Sequence, residues 1–149
     1  MVLLCAAAII ALAYRYDLYD REPSFPIFLA LSCGYIMMHV AGLTEEFLIN
    51  GLQIRRDQPL TKAMLVAVVE DSGKLLLVFA LASLLARHFN DPLDGLVYGT
   101  LIGLGAAMNE SMNYLRFLPL DSHTLGGEVI RLFAHAMMGG ILGFGVGLE

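Results

Sequence analysis

The feature that most constrains the fold is a long apolar stretch, 90–118, in the second half of the sequence. It opens with Asn-Asp-Pro, a turn signal, and then stays apolar for most of a membrane thickness. Glycine recurs at every fourth position, at Gly95, Gly99 and Gly103. This spacing predicts a smooth helix stripe that another helix backbone can approach closely. Glu110 lies deep in the stretch, with Tyr114 four residues later on the same helical face. An ionisable side chain inside a membrane helix is costly, so Glu110 is a candidate functional residue.

The composition agrees with a membrane protein, since 58% of the 149 residues are hydrophobic and only 15% are charged. Soluble domains are about half apolar and about a quarter charged. Polar turns separate five apolar segments, at 1–14, 25–43, 61–86, 90–118 and 128–149. We therefore predict an all-α bundle of about five membrane helices, folded as a single domain over 1–149. The expected surroundings are a lipid bilayer, and without a long basic run we expect no nucleic-acid partner.

The segment at 61–86 is interrupted near its middle by Glu70, Asp71 and Lys74. Glu70 and Lys74 are four residues apart, so they share a helical face and can form an ion pair. Pairing lowers the cost of burying each charge, which is about 2.5–3.5 kcal/mol at a helix centre on the insertion scale. Asp71 adds a carboxylate that Lys74 alone would not neutralise. This excess favours a functional site over a purely structural ion pair.

Two further acidic residues, Glu45 and Glu46, follow Thr44 near the end of the segment at 25–43. Paired carboxylates can bind a metal ion or perform acid–base chemistry. Here they lead into a polar loop, and we predict a solvated helix end.

The last segment carries Arg131 and His135, again four residues apart on one face. Its glycines, Gly139, Gly143 and Gly147, repeat the every-fourth spacing of the segment at 90–118. We predict that the two glycine-striped helices pack tightly, either against each other or against the segment at 61–86.

Three helices thus carry polar groups that should face the bundle interior or a hydrated cavity. If these faces converge, the site combines carboxylates, a histidine and two cations. Such a set has the parts for water activation: a base, a second acidic group and donors for an oxyanion. It also suits a metal ion, because Glu and His with an open position are zinc ligands. A proton relay would use the same residues, and the spacing alone does not separate these chemistries.

The stretch DPLDGLVYGTLIGLGAAMNESMNYL resembles the Asp-Gly, Tyr-Gly, Gly-x-Gly, Glu and Tyr pattern of PrsW-type intramembrane proteases. That family is related to the CAAX prenyl endopeptidases and the bacteriocin-processing membrane proteases. The positions that fall on the pattern are Asp94, Gly95, Tyr98, Gly99, Gly103, Gly105, Glu110 and Tyr114. VEDSGK resembles the family's paired-acid-then-lysine motif, RLFAH resembles its late Arg-and-His helix, and YDREP resembles its early Glu-Pro turn. Two departures stand out: the acidic pair is Glu-Asp rather than Glu-Glu, and Ser111 follows Glu110 where the family usually has Asn.

The resemblance implies a membrane-embedded endopeptidase that cleaves membrane-anchored proteins, in some members anti-sigma factors, in a prokaryotic cell membrane. The catalytic residues it implies are Glu70, Asp71, Lys74, Glu110, Arg131 and His135. Whether the site activates water through a glutamate or through a bound metal such as zinc stays open. If a metal is used, its ligands would be Glu70, Glu110 and His135. The alternatives are a non-catalytic scaffold or immunity-type protein of the same fold, and a small proton-coupled transporter.

Overall fold

The computed structural model describes residues 24–55, 57–89, 91–117 and 122–149, and these form four helices. The helices are α1 (Ser24–Gly51), α2 (Pro59–Leu84), α3 (Pro92–Leu115) and α4 (Ser122–Gly147). The all-α prediction is confirmed, and the four helices correspond to the last four predicted segments. The first predicted segment, 1–14, lies outside the described residues.

Two of these helices, α1 and the part of α4 from Thr124 to Gly147, are long and apolar enough to cross a membrane. The other two are less hydrophobic, since α2 carries three charged residues near its middle and α3 is rich in glycine. Large apolar side chains are nevertheless exposed on all four helices, for example Phe28, Leu76, Leu93 and Phe133. Such a surface is expected where a bundle faces lipid. We treat the chain as a membrane protein.

Helix α3 is the centre of the bundle, because it packs extensively against α4 and α1, also contacts α2, and has the most buried residues of the four helices. Tyr98, Ile102, Leu104, Ala106 and Ala107 are all fully buried along it. Most of these side chains are small or alternate with glycine, which lets the neighbouring backbones approach. The side chains of α3 therefore point into the protein on almost every face.

The glycine stripes of α3 and α4 pack against each other, as predicted. A Cβ atom added at Gly95 would meet the carbonyl oxygen of Gly143, and one at Gly99 would meet that of Gly139. Further along, a Cβ atom at Gly103 would meet the carbonyl oxygen of His135. As the residue numbers rise along α3, the residue numbers of the contacted α4 positions fall, so the two helices are antiparallel. This register sets which polar residues of α3 and α4 can meet.

A capping box fixes the start of α3. The Asp91 carboxylate accepts hydrogen bonds from the backbone N–H groups of Leu93 and Asp94, at 2.7 and 3.2 Å. The Asp94 carboxylate accepts one in return from the Asp91 N–H, at 3.0 Å. The Asn-Asp-Pro turn signal thus ends in a cap that satisfies N–H groups a helix start leaves free.

Three helices meet in a small apolar cluster that lies next to the polar residues. Ala41 of α1 and Ala106 of α3 are buried in it, and Val69 of α2 packs against them. Val69 directly precedes Glu70, and Ala41 and Ala106 each lie one turn before a glutamate. This cluster therefore brings the acidic positions of α1, α2 and α3 to one end of the apolar core.

Candidate active site

A short polar contact between helices joins Glu110 of α3 to His135 of α4. The Nε2 atom of His135 lies 3.0 Å from Oε2 of Glu110, a hydrogen-bonding distance. The two side chains are 11% and 22% exposed, so both are largely removed from solvent. The glycine register brings the backbones of α3 and α4 together between Gly95 and Gly103. Helical side chains lean towards the amino terminus of their own helix, so Glu110 and His135 lean towards each other from the two antiparallel helices.

Helix α2 brings a second carboxylate and a buried cation to the same place. Oε2 of Glu70 lies 3.9 Å from Nε2 of His135 and 3.6 Å from Nζ of Lys74. Lys74 also donates a 2.8 Å hydrogen bond to Asp71, whose side chain is 34% exposed. The predicted pairing of Glu70 with Lys74 is confirmed. Lys74 is only 2% exposed, which is tolerated because the ammonium group is shared between two carboxylates.

Arg131 of α4 is likewise shared between two carboxylates. Its Nε atom lies 3.4 Å from Oε2 of Glu110, and its Nη1 atom hydrogen-bonds to Oε1 of Glu128. The guanidinium lies over the Tyr114 ring, with Cζ 4.2 Å from the ring centroid, a cation–π geometry. Arg131 thus links Tyr114 to Glu110. The Tyr114 side chain is 45% exposed, so it lies at the edge of the site rather than inside it.

One residue of this network, Glu128, was missed in the sequence, and a second acid, Glu45, was considered but assigned to a solvated helix end. Glu128 is the carboxylate partner of Arg131 and is 2% exposed. Its signal was available, because Glu128, Arg131 and His135 fall on one helical face at i, i+3 and i+7. The prediction of a solvated helix end holds for Glu46, which is exposed, but is wrong for Glu45. Glu45 is half-buried, and its Oε1 atom is buried with no hydrogen-bond partner among the described residues.

The family model described as PrsW family intramembrane metalloprotease matches residues 22–149. The chain belongs to the PrsW family. It is also similar to the protein named Protease PrsW of Bacillus subtilis (strain 168), with 23% identity over 140 residues. That match covers 94% of this chain and 63% of the relative, so the chain spans a little under two thirds of the relative's length. No solved structure matches the chain.

The PrsW family is described as one of metalloproteases, and a metalloprotease site needs side chains that can hold a metal ion. As the side chains stand, no three His, Cys, Asp or Glu residues in the described ranges form a metal-binding group. The chemistry of the donor set does fit a divalent cation. Tetrahedral zinc with bonds of about 2.0–2.2 Å holds its ligand atoms about 3.3 Å apart. The distances from His135 Nε2 to Glu110 and Glu70, 3.0 and 3.9 Å, lie below and above the spacing of zinc ligands, so these side chains would have to shift to hold an ion.

Local charge also favours a bound cation. Lys74 is shared by Glu70 and Asp71, and Arg131 by Glu110 and Glu128, so four carboxylates meet two cations. An excess of negative charge in a low-dielectric bundle is costly unless protons or a metal ion neutralise it.

A groove of about 610 Å³ lies elsewhere on the surface, over the outer face of α4. Thr100 is its single polar lining residue, and the others are apolar, among them Ile130, Phe133 and Met137. Arg131 and His135 are not part of this lining. The polar network of the PrsW-type motifs is thus a separate feature, buried between the helices.

Proposed function

We propose that this chain is an intramembrane endopeptidase that cleaves membrane-anchored proteins. The observation that supports this most directly is the contact of Glu110 with His135 at 3.0 Å, with Glu70 and Lys74 beside it. These groups come from three helices of a PrsW family chain, and their clustering is hard to explain by helix packing alone. Buried ionisable groups are costly in a membrane, so a function is the better explanation for keeping several of them.

Glu70 is the better general base of the two carboxylates that face His135. Glu110 already interacts with His135 at 3.0 Å and with Arg131 at 3.4 Å. The contacts of Glu70 with Lys74 and His135 are longer, at 3.6 and 3.9 Å, so its Oε2 is freer to accept a proton. Glu70 would take a proton from water, and the resulting hydroxide would attack the scissile carbonyl carbon.

The remaining groups would serve the later steps. Lys74 is the cation nearest to Glu70 and would stabilise the oxyanion that forms on the carbonyl oxygen. His135, held by Glu110, would give a proton to the leaving amine as the peptide bond breaks. Asp71 would keep Lys74 in place through its 2.8 Å hydrogen bond.

A zinc-type metal ion is the alternative way to activate the water. Glu70, Glu110 and His135 would hold it, since they are the His and Glu residues that approach one another most closely. The metal would lower the pKa of a bound water and polarise the scissile carbonyl. The roles of Lys74 and Asp71 stay the same in either case.

The substrate class follows from the family resemblance and the membrane setting. We propose a single-pass or otherwise membrane-anchored protein as substrate, an anti-sigma factor being one example of that class. The same proposal includes a relation to the CAAX prenyl endopeptidases and a location in a prokaryotic cell membrane. It also includes about five membrane helices in a single domain over 1–149. The Bacillus relative supports the prokaryotic setting.

The test is cleavage of a single-pass substrate by the purified chain in lipid nanodiscs. Glu70→Gln keeps the shape of the side chain and removes the base, so turnover should fall by at least about 100-fold. Glu110→Gln and His135→Ala should have similar effects. Glu46→Gln, the same chemical change at an exposed position of α1, should leave turnover unchanged.

A folded Glu70→Gln protein that cleaves at the wild-type rate would refute Glu70 as the base. If the wild-type chain cleaves no membrane-anchored substrate, the scaffold function becomes the better explanation. Loss of cleavage in chelator that added zinc restores would assign the water activation to a metal.

A further inference from the structure

Glu128 stands out as a buried charge that the catalytic proposal does not use. Its side chain is 2% exposed, less than that of any other carboxylate in the ion pairs of the described residues. Oε1 bonds to Arg131, and Oε2 is buried without a hydrogen-bond partner among the described residues. Keeping a carboxylate so deeply buried is costly unless it holds a partner in a required position.

The partner it holds is fixed on three sides. The guanidinium of Arg131 contacts Glu128 through Nη1 and Glu110 through Nε, and one of its faces lies on the Tyr114 ring. A planar guanidinium directs its N–H groups in a fixed fork, so fixing one end also fixes the direction of the other. Its Nε atom lies 3.4 Å from Oε2 of Glu110, so one guanidinium forms ion pairs with both carboxylates.

That Glu110 oxygen is the same atom that meets Nε2 of His135 at 3.0 Å. The position of the Glu110 carboxylate against His135 therefore depends on where Arg131 lies. We propose that Glu128 is a positioning residue: it holds Arg131 in the orientation that keeps Glu110 against His135. Its effect on turnover rests on the proposed function, whereas its effect on the His135 ring does not.

The first measurement is spectroscopic and needs no activity. The full chain in nanodiscs is labelled with ¹⁵N histidine, and the His135 signals are identified by their loss in His135→Ala. No ion pair or hydrogen bond joins Glu128 to His135 among the described residues, so an effect carried by contacts passes through Arg131 and Glu110. Glu128→Asp keeps the charge and therefore separates this effect from the direct influence of a lost charge on His135. Glu128→Gln should shift the Nε2 resonance of His135, whereas the matched change Glu46→Gln should leave it in place.

The second measurement is kinetic. Glu128→Gln should lower kcat by about 10–100-fold, the range found for outer-shell partners of active-site groups, with KM nearly unchanged. Glu128→Asp keeps the charge on a shorter side chain and should restore part of the lost turnover. In an Arg131→Lys background, Glu128→Gln should lower kcat little further, because Arg131→Lys already removes the guanidinium that Glu128 orients.

The outcomes separate this proposal from the proposed function. An unmoved His135 resonance in a folded Glu128→Gln protein overturns the positioning role, whatever happens to turnover. If Glu128→Gln shifts the His135 resonance but leaves kcat at the wild-type value, the proposed effect of Glu128 on turnover is wrong. If Glu128→Gln does not fold, Glu128→Asp takes its place in both measurements. A wild-type chain that cleaves nothing contradicts the proposed function, and the His135 resonance still decides the position of Glu110.

Discussion

At the scale of single residues, the main feature is that cations in the bundle are shared. Lys74 serves Glu70 and Asp71, and Arg131 serves Glu110 and Glu128. Removing a shared cation takes the Lys or Arg partner from two carboxylates at once, whereas removing one carboxylate leaves the cation with its other partner. The cations should therefore matter more for folding than the acids they bind.

Lys74→Met tests this asymmetry. Lys74 is 2% exposed, and breaking a buried ion pair by removing one partner costs about 3–5 kcal/mol. We expect a clear fall in the thermal unfolding temperature in detergent. Asp71→Asn should lower the unfolding temperature much less, because the Asp71 side chain is 34% exposed and Lys74 keeps its ion pair with Glu70. Equal losses of stability in the two variants would contradict this asymmetry.

At the scale of helices, the α3–α4 interface determines the geometry of the site. The two glycine stripes bring the backbones into contact, and His135 is carried to Glu110 by the same register. Larger side chains in the stripe would separate the helices, and the Glu110–His135 distance would grow with them. Helix packing and site geometry are thus coupled at Gly103, whose missing Cβ faces the carbonyl oxygen of His135.

Gly99→Ala should destabilise the bundle even though alanine is the better helix former. The added Cβ meets the Gly139 carbonyl oxygen, and overpacking of this kind costs about 1–3 kcal/mol. Gly145→Ala is the matched control, because a Cβ at Gly145 meets no atom within 4 Å. That change should be neutral or stabilising by up to about 1 kcal/mol. Thermal unfolding in detergent measures both, and a stabilised Gly99→Ala protein would contradict the close packing.

At the scale of the whole molecule, successive helices run in opposite directions through the bundle. The loop after α1 and the end of α3 therefore lie on one side, and the turn after α2 lies on the other. The carboxyl-terminal part of α3 and the amino-terminal part of α4 hold Glu110 and Glu128, so the site is nearer to the first side. A substrate bond would have to reach the site at this depth in the membrane.

This topology predicts which introduced cysteines share a side. In a background with Cys5 and Cys33 replaced by Ala, Leu52→Cys and Phe117→Cys should react with a membrane-impermeant thiol reagent from the same side. Ala86→Cys, at the other end of α2, should react only from the opposite side. None of these changes alters a charge, so the orientation set by flanking basic residues is preserved. Labelling of all three from one side would contradict a spanning bundle.

The sequence by itself determined the helices and the residues able to carry chemistry. The lengths of the apolar segments predicted the four described helices. The glycines at every fourth position predicted the close packing of α3 and α4. The three polar interruptions at 70–74, 110–114 and 131–135 were visible because charges are rare inside such segments.

Only the tertiary structure decided which of these groups meet. Periodicity relates residues within one helix, so it paired Glu110 with Tyr114 and Arg131 with His135. The antiparallel packing instead joins Glu110 to His135 and Arg131, and brings Glu70 to His135 from a third helix. Glu128 went unrecognised, and Glu45 was expected to be solvated, for the same reason: the burial of an acid near a helix end depends on its neighbours in other helices. Contacts between residues of different helices depend on the register and rotation of those helices. The spacing of residues within one segment therefore does not predict them.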